Sequence, residues 1–341
     1  MPVGQTPQGH LAHGNSVTER AKVSTFVAEA GNHADLLLIP PQLVSMSWFQ
    51  ARSKFRAASR PREGREAGNT KPVRLSTGRL ATSVCVVSGK GGTGKSLVSA
   101  SLSSYLARDR ETLLIDADLG AGNAHILHDV SPVRTMVDVV RGLPIEEAIE
   151  PCRPGLDLIG GGSGYARMAS LHSRQLGRIA TELERMDSRY EGMVIDSAAG
   201  LSTQTLAFAA AADIVLLVTN PDVTALTDAY AFLKVLTRRG GKGRTLVAVN
   251  RASGADEAEA VCEKLCSVAR KYLGTQPKCV GFLPEDRAAF RSTQRRVPVI
   301  DGETNSPLGL ALETLGARIA REIHGLRPAG FGASMRNQVP A

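Results

Sequence analysis

An eight-residue run constrains the fold of this chain more than any other feature. Residues 89–96 read Gly-Lys-Gly-Gly-Thr-Gly-Lys-Ser and satisfy the G-x-x-x-x-G-K-[ST] pattern, whose defining positions are Gly89, Gly94, Lys95 and Ser96. An apolar run precedes it at 83–87, and a helix-like stretch follows at 97–106. This order predicts a phosphate loop, because backbone N–H groups and the positive end of the helix converge on one anion.

The motif assigns a contact to each part of the loop. We expect the backbone around Gly91, Gly92 and Thr93 to turn its N–H groups towards phosphate oxygens. Lys95 is expected to bridge the terminal phosphates, and the Ser96 hydroxyl to bind Mg²⁺. The predicted ligand is therefore a nucleotide with its magnesium ion.

Alternating apolar and amphipathic segments predict the fold class. Strands are predicted over 83–87, 112–116, 156–159, 192–196, 213–219, 245–250 and 278–282, and helices over 171–186, 201–211, 223–237 and 255–273. Continuous Val, Ile and Leu runs are typical of strands covered on both faces. We predict an α/β domain over 81–325, with a doubly wound, mostly parallel sheet and its ligand at the carboxyl ends of the strands. Residues 326–341 are predicted to be a flexible tail.

Most of the chain's positive charge precedes this domain. Residues 1–80 account for +6 of the net charge of +8. We predict a disordered basic arm, because such a segment buries too little apolar surface to fold alone. Contact with anionic lipid or nucleic acid is one interpretation of the arm. A non-specific tail, or translated sequence upstream of the actual start, is the other.

The lengths of the apolar runs and the spacing of the cysteines argue against a membrane-spanning, secreted or zinc-binding protein. No apolar run approaches the roughly 20 residues that span a bilayer, and no secretory signal is recognisable, so a cytoplasmic protein is expected. Cys262 and Cys266 lie four residues apart on a predicted helix. No nearby His or further Cys in the sequence completes a zinc set, so packed thiols are predicted.

Three aspartates end predicted strands near the loop. Asp116 and Asp118 end the second strand, and Asp196 ends the strand at 192–196. Because the carboxyl ends of parallel strands meet at one edge, we expect these carboxylates to lie close to the phosphate loop. We expect Asp196 to be the carboxylate that binds Mg²⁺ through a water molecule. Asp118 lies beyond the predicted strand that Asp116 ends, so we expect the two carboxylates to point in different directions and to have different roles.

The loop with its extra lysine, Lys90-Gly-Gly-Thr-Gly-Lys-Ser96, resembles the deviant phosphate loop of the MinD/ParA group of ATPases. The resemblance implies ATP and Mg²⁺ as cofactors. It also implies a homodimer in which Lys90 reaches the partner's nucleotide and neutralises charge on the transferred phosphoryl group. Asp118 and Asn123 are expected to hold the attacking water, and Asp116 to support the magnesium shell.

Base recognition is also inferred from the resemblance. Asn250 ends the strand at 245–250, where MinD-like proteins place an asparagine against the adenine edge, and Arg251 follows it. A later segment containing Pro284, Glu285 and Asp286 matches the family's segment around the base. Turns commonly use the same residue types for geometry alone.

Two further tracts resemble the FlhG branch, also called FleN or YlxH, which sets flagellar number and placement. They are Asp116-Ala-Asp-Leu-Gly-Ala-Gly-Asn-Ala-His-Ile-Leu and Thr219-Asn-Pro-Asp-Val-Thr-Ala-Leu-Thr-Asp-Ala-Tyr-Ala-Phe-Leu-Lys. The branch implies an FlhF-like GTPase, flagellar C-ring proteins or a transcription regulator as partners. The arm lacks the Asp-Gln-Ala-x-x-Leu-Arg motif used to stimulate that GTPase, which puts this partnership in doubt.

Membrane contact and two other functions remain open. Leu326, Arg327, Phe331, Met335 and Arg336 suggest an amphipathic anchor for peripheral contact with the inner face of the cell membrane. A ParA- or MinD-type role in DNA partitioning or division-site positioning is the alternative function. DNA is not expected as a partner, because the region after residue 80 carries a net charge of only +2. A nucleotide-sensing module without turnover is the third hypothesis.

Overall fold

A computed structural model of the chain describes residues 79–162 and 171–339. The arm predicted over residues 1–80 lies outside the described residues, except for its last two positions. All statements below concern the described part of the chain.

One sheet forms the centre of the described domain. Its strands are β1 Thr82–Val87, β2 Thr112–Asp116, β3 Ile149–Arg153, β4 Leu156–Ile159, β5 Gly192–Asp196, β6 Ile214–Thr219, β7 Arg244–Ala252 and β8 Lys278–Pro284. Their order across the sheet is β3-β4-β2-β5-β1-β6-β7-β8, and every neighbouring pair is parallel except β3 with β4. The predicted doubly wound, mostly parallel sheet is confirmed.

The antiparallel edge strand β3 was not predicted from the sequence. It contains Pro151, its side chains are half-buried or exposed, and its pairing with β4 is irregular between Pro151 and Arg153. A proline cannot donate to the ladder and is tolerated at an edge. The strand therefore lacks the continuous apolar run that marks the central strands.

Helices cover both faces of the sheet. They are α1 Lys95–Leu106, α2 Ala124–Leu127, α3 Met136–Arg141, α4 Ser173–Glu184, α5 Thr203–Ala211, α6 Val223–Arg238, α7 Ala255–Leu273, α8 Ala288–Arg295, α9 Val299–Gly302, α10 Pro307–Ile323 and α11 Phe331–Arg336. Along β1, Val84 and Val86 pack into one core cluster, whereas Cys85 and Val87 pack into the other. Alternate side chains of a strand point to opposite faces, so a strand apolar at every position requires both layers.

The last long helix, α10, belongs to the core. Its predicted stripe is buried at every position: Leu308, Leu312, Leu315, Ile319 and Ile323. It packs against α1 so closely that a Cβ added at Gly316 would lie 2.5 Å from the Tyr105 ring. This burial agrees with the sequence interpretation of the stripe as a core helix.

A short helix, α11, follows α10 within the described residues, which corrects the predicted flexible tail. Helix α11 buries Phe331 and Met335 completely, and the Phe331 ring stacks on Phe208 at 6.2 Å between centroids. These two side chains are unavailable as the apolar face of a membrane anchor in this structure. No helix in the described ranges has both the length and the apolarity to cross a membrane.

A disulfide joins α7 to β8, which makes the prediction of packed thiols wrong for Cys262. Cys262 is bonded to Cys279, and Cys266 is a free thiol beside them. The sequence spacing did not reveal this pair, because the turn after α7 brings β8 back alongside the helix.

Candidate nucleotide site

The phosphate loop connects β1 to α1, and its glycines are required by close approach and backbone conformation. A Cβ at Gly89 would lie 2.3 Å from the Asp228 backbone on α6. Gly94 precedes α1 in the left-handed region, with φ of 92°, and a Cβ there would lie 2.2 Å from the Asn250 amide nitrogen. By contrast, the structure places no atom within 4 Å of a Cβ added at Gly91 or Gly92.

The first turn of α1 is open to an anion. Gly94 offers no side chain to cap the helix, and the first turn contains no acidic residue. The N–H groups at a helix start need acceptors, and the helix dipole favours negative charge there. Together with the open space beside Gly91 and Gly92, this end of α1 fits a phosphate group.

Lys95 lies beside a buried carboxylate. Its Nζ is 3.6 Å from Asp196 Oδ1, and Asp196 is only 1% exposed. Ser99, one turn further along α1, is 3.0 Å from the same oxygen through its hydroxyl. The structure therefore brings the predicted phosphate lysine together with the predicted magnesium acid. Ser99 was missed because no motif position marks it.

Asp116 is the most enclosed carboxylate of the site. It is fully buried at the end of β2, where its register partner on β5 is Asp196. Burial and the nearby Asp196 charge raise the pKa of Asp116 well above its usual range, although N–H groups of Ala124 and Asp118 donate to it. Two carboxylates forced together in a dry site are stabilised by a divalent cation, and oxygen donors suit Mg²⁺. The buried carboxylates of Asp116 and Asp196 are oxygen donors of the kind that fits this ion, and Ser96 lies in the first turn of α1.

Glycine backbone encloses Asp116. A Cβ at Gly122 would lie 2.5 Å from Asp116 Oδ2, and one at Gly161 would lie 2.9 Å from Asp116 Oδ1. The Gly161 position follows β4 in a glycine-rich stretch that lacks its own lysine. The sequence did not link this stretch to the site, because strand order alone places it beside β2.

Asp118 and Asn123 lie on the segment between β2 and α2. Asp118 Oδ1 accepts from the backbone N–H groups of Gly120 at 3.3 Å and Ala121 at 3.0 Å. Asn123 immediately precedes α2, and its side chain is exposed and makes no capping hydrogen bond. The backbone thus orients Asp118, whereas the Asn123 amide is accessible to solvent.

Lys90 is paired within its own chain. Its Nζ donates to Asp222 Oδ1 at 2.8 Å and to Thr224 Oγ1 at 2.7 Å, and both partners are exposed. Asp222 also caps α6 by accepting from Ala225 N at 2.8 Å. Hydrogen bonds from Lys90, Thr224 and Ala225 hold the pKa of Asp222 well below its usual range. The sequence did not indicate that Lys90 would donate hydrogen bonds to Asp222 and Thr224.

Asn250 contacts the phosphate loop. Its buried Nδ2 donates to the Thr93 carbonyl at 2.7 Å, which connects the end of β7 to the loop. Arg251 follows with φ of 57° at an irregularity in the β7–β8 pairing, and its side chain is exposed. This bond uses one of the two amide N–H groups, which leaves the other N–H and the amide oxygen of Asn250, so its adenine contact stays a prediction.

The segment after β8 has a clear structural role. Pro284 ends β8 and pairs with Ala252. Asp286 Oδ1 accepts from Ala288 N at 2.8 Å, and its Oδ2 accepts from Leu308 N at 3.2 Å. The carboxylate therefore caps the starts of α8 and α10, and Glu285 is exposed between these positions. A contact of Pro284 or Asp286 with a base is likewise still a prediction.

A parallel sheet with a glycine-rich loop at its centre and an uncapped helix after that loop defines a P-loop nucleotide-binding domain. The CobQ/CobB/MinD/ParA nucleotide-binding domain matches residues 84–299. The chain belongs to this family.

Characterised relatives include flagellar and division proteins. The antiactivator FleN of Pseudomonas aeruginosa is 30% identical over 257 residues, which cover 75% of this chain and 89% of FleN. The flagellum site-determining protein YlxH of Helicobacter pylori is 31% identical over 194 residues, covering 56% of this chain and 65% of YlxH. The septum site-determining protein MinD of Escherichia coli is 28% identical over 240 residues, which cover 65% of this chain and 84% of that MinD. These relatives support assignment to the FlhG branch of the MinD/ParA group.

Solved structures share the fold. The MinD cell division ATPase of Pyrococcus furiosus superposes with a TM-score of 0.61 at 24% identity, covering 71% of this chain and all of that one. MinD of Pyrococcus horikoshii, solved with Mg-ADP, has a TM-score of 0.61 at 22% identity. The match covers 71% of this chain and 97% of that one.

Proposed function

We propose that this protein hydrolyses ATP to ADP and that ATP-dependent homodimerisation makes it a molecular switch. One observation carries the proposal: the uncapped start of α1 and the open backbone at Gly91 and Gly92 lie beside the Lys95–Asp196 pair. Backbone N–H groups would hold the phosphates, and Lys95 would contact the terminal ones. Slow turnover is expected of a switch, since its output is the change of state.

Three residues would hold magnesium in this site. Ser96 would contribute its hydroxyl, Asp196 would act through water, and Asp116 would support the shell from behind. The ion would neutralise charge on the phosphate oxygens. Ser99, which is 3.0 Å from Asp196 Oδ1, would keep that carboxylate oriented.

Hydrolysis would use Asp118 and Asn123 from the same subunit and Lys90 from its partner. Asp118 would orient the attacking water, with the exposed Asn123 amide beside it. Lys90 would leave its exposed partners Asp222 and Thr224 and reach across the dimer. Its ammonium would stabilise charge that develops in the transition state.

The first experiment separates ATP binding from hydrolysis. Lys95→Ala should weaken ATP binding, whereas Lys90→Ala should bind ATP with near-normal affinity and hydrolyse it far more slowly. The exposed Lys242 supplies the matched control, and Lys242→Ala should behave as the unchanged protein. Calorimetry with ATP and a phosphate-release assay give the two readings. Normal turnover by Lys90→Ala would sink the role of this lysine, and no turnover by the unchanged protein would favour a nucleotide sensor.

We further propose a cytoplasmic regulator of flagellar number and placement. The names of FleN and YlxH support this role. Partners of this class are an FlhF-like GTPase, a flagellar C-ring protein or a transcription regulator, and peripheral membrane contact would accompany them. Affinity capture with Asp118→Ala in ATP tests the role. Recovery of flagellar proteins would support it, whereas division-site or centromere-binding proteins would move the switch to cell division or DNA partitioning.

A further inference from the structure

A cluster of three cysteines lies between α7 and the edge strand β8. Cys262 and Cys266 are one helical turn apart on α7, and Cys279 is the second residue of β8. Their sulfur atoms all lie within 4.8 Å of one another. Cys262 and Cys279 are joined by a disulfide, and Cys266 Sγ is 3.8 Å from Cys279 Sγ.

We propose that these cysteines, when reduced, bind one thiophilic d¹⁰ metal ion of the Zn²⁺ kind through three thiolates. The proposal concerns a site separate from the phosphate loop and does not depend on the proposed ATPase. The disulfide is the metal-free, oxidised form of the same cluster.

The spacing of the sulfurs carries the assignment. Zinc–thiolate bonds of about 2.3 Å place the sulfurs of a tetrahedral site roughly 3.8 Å apart. Cys266 and Cys279 already have this separation, at 3.8 Å. Breaking the Cys262–Cys279 bond allows the third sulfur to move out to a similar distance. Cysteines at i and i+4 of a helix, completed by one from a neighbouring strand, are suitable donors to a single ion.

The cluster is partly buried, and its three sulfurs leave one coordination position open. Cys262 and Cys266 are buried, at 3% and 8% exposure, whereas Cys279 faces solvent. No fourth Cys, His, Asp or Glu of the described residues joins the cluster, so water would complete the shell.

Loading the site involves a reduction followed by proton release. A dithiol reductant supplies two electrons and two protons to the Cys262–Cys279 bond, which gives two thiols and oxidises the reductant to its own disulfide. Binding of the metal then displaces the thiol protons to solvent. The ion would hold α7 against β8 in place of the disulfide.

Zinc itself is the probe for the test. Reduced full-length protein is incubated with Zn²⁺ alone and desalted, and its metal content is measured. Cd²⁺ replaces zinc in a parallel titration, because cadmium–thiolate absorption reports sulfur ligation directly. We expect one ion per chain, a thiolate band that saturates at one equivalent, and a higher Tm in Zn²⁺ than without it.

Two variants and a control complete the design. Cys279→Ser changes an exposed residue and should leave the fold intact; it should weaken Zn²⁺ binding by at least about tenfold, since even outer-shell partners are worth roughly 10–100-fold. Cys266→Ser should do the same, and Cys152→Ser, which changes a cysteine of β3 outside the cluster, should bind zinc normally. Equal binding by all variants, or no zinc retained by the reduced protein, would overturn the proposal. Loss with Cys279→Ser alone would also overturn it, because Cys266 would then not be a ligand.

Discussion

At the scale of single residues, the site depends on backbone that approaches without side chains. The Asp228 backbone lies beside Gly89, and the Asn250 amide lies beside Gly94. A methyl group at either position would clash with the Asp228 backbone or with the Asn250 amide, so packing requires glycine at both positions. Gly91 differs, because nothing in the structure lies within 4 Å of its Cβ position.

Alanine at two loop glycines should therefore have unequal effects on the apoprotein. Gly89→Ala places a Cβ 2.3 Å from the Asp228 backbone and should destabilise the fold by roughly 1–3 kcal/mol. Gly91→Ala meets no atom and has no left-handed φ, so its effect should stay within about 0.5 kcal/mol. Urea unfolding without nucleotide measures both, and equal losses would contradict the packing argument.

His128 gives the fold a pH dependence of defined sign. The ring is buried, its Nδ1 is 3.3 Å from Arg153 Nη2, and its Nε2 has no partner among the described residues. Burial, with the Arg153 charge, lowers the pKa of His128 to about 3. The unfolded chain protonates near pH 6.5, so below that pH it binds a proton that the folded chain does not. Stability attributable to His128 is complete above pH 6.5 and declines as pH falls towards 3.

We expect His128→Gln to remove part of the acid sensitivity. Between about pH 7.5 and about pH 5.5, the unfolding free energy of the unchanged protein should fall by about 1 kcal/mol more than that of His128→Gln. The exposed His324 is the control, and His324→Gln should follow the unchanged protein. Urea denaturation at both pH values provides the comparison. Parallel losses in all three proteins would show that His128 does not titrate as argued.

At the scale of elements, α11 shows how a short segment becomes ordered. Six residues are too few for a stable isolated helix, since nucleation is costly. Here Phe331 and Met335 are buried, and the Asp187 carboxylate accepts from Phe331 N at 2.8 Å and from Gly332 N at 3.1 Å. Burial of apolar area and capping by a fixed acceptor stabilise the helix. Glycine at 332 allows the backbone of α11 to approach α4 closely.

The close approach of α11 to α4 predicts a second pair of glycine variants. A Cβ at Gly332 would lie 2.1 Å from Glu184 N, so Gly332→Ala should lower the unfolding free energy by roughly 1–3 kcal/mol. Gly325 lies in the same C-terminal region with nothing within 4 Å of its Cβ position, and Gly325→Ala should be close to neutral. Thermal or urea unfolding distinguishes them. A neutral Gly332→Ala would mean that α11 moves away from α4 without cost.

At the scale of the whole molecule, the nucleotide site lies at the centre of the sheet and the thiol cluster at its edge. Strand β1, which leads into the phosphate loop, is flanked by β5 and β6, whereas β8 is the last strand in the order. Lys90, Asp222 and Thr224 are accessible beside the loop, where a second subunit would meet the nucleotide. The proposed dimer uses this face and leaves the β8 edge unpaired.

Dimerisation should depend on ATP and persist when hydrolysis stops. Asp118→Ala in ATP and Mg²⁺ should elute as a stable dimer of about twice the 36.1 kDa chain mass, and as a monomer in ADP. Asp256→Ala, which removes an exposed carboxylate from the first turn of α7, should dimerise only while ATP lasts. Size exclusion with light scattering measures both masses. A monomeric Asp118→Ala in ATP would remove Asp118 from the hydrolytic role.

Local pattern was sufficient for seven of the eight strands, for the long helices and for the loop that joins β1 to α1. The glycine spacing from Gly89 to Gly94, the strand before it and the helix after it are all short-range features of the chain. The apolar stripe from Leu308 to Ile323 likewise indicated a core helix that the structure contains. Such patterns are readable because periodicity and loop chemistry act over a few neighbouring residues.

Tertiary structure alone decided which distant residues meet. Strand order placed Gly161 against Asp116, the return of β8 placed Cys279 beside Cys262, and the docking of α11 made Asp187 a helix cap. No characteristic spacing in the sequence marks any of these three pairs. They arise because each element buries its apolar face against a specific neighbour, and polar groups then take the partners that this packing brings within reach.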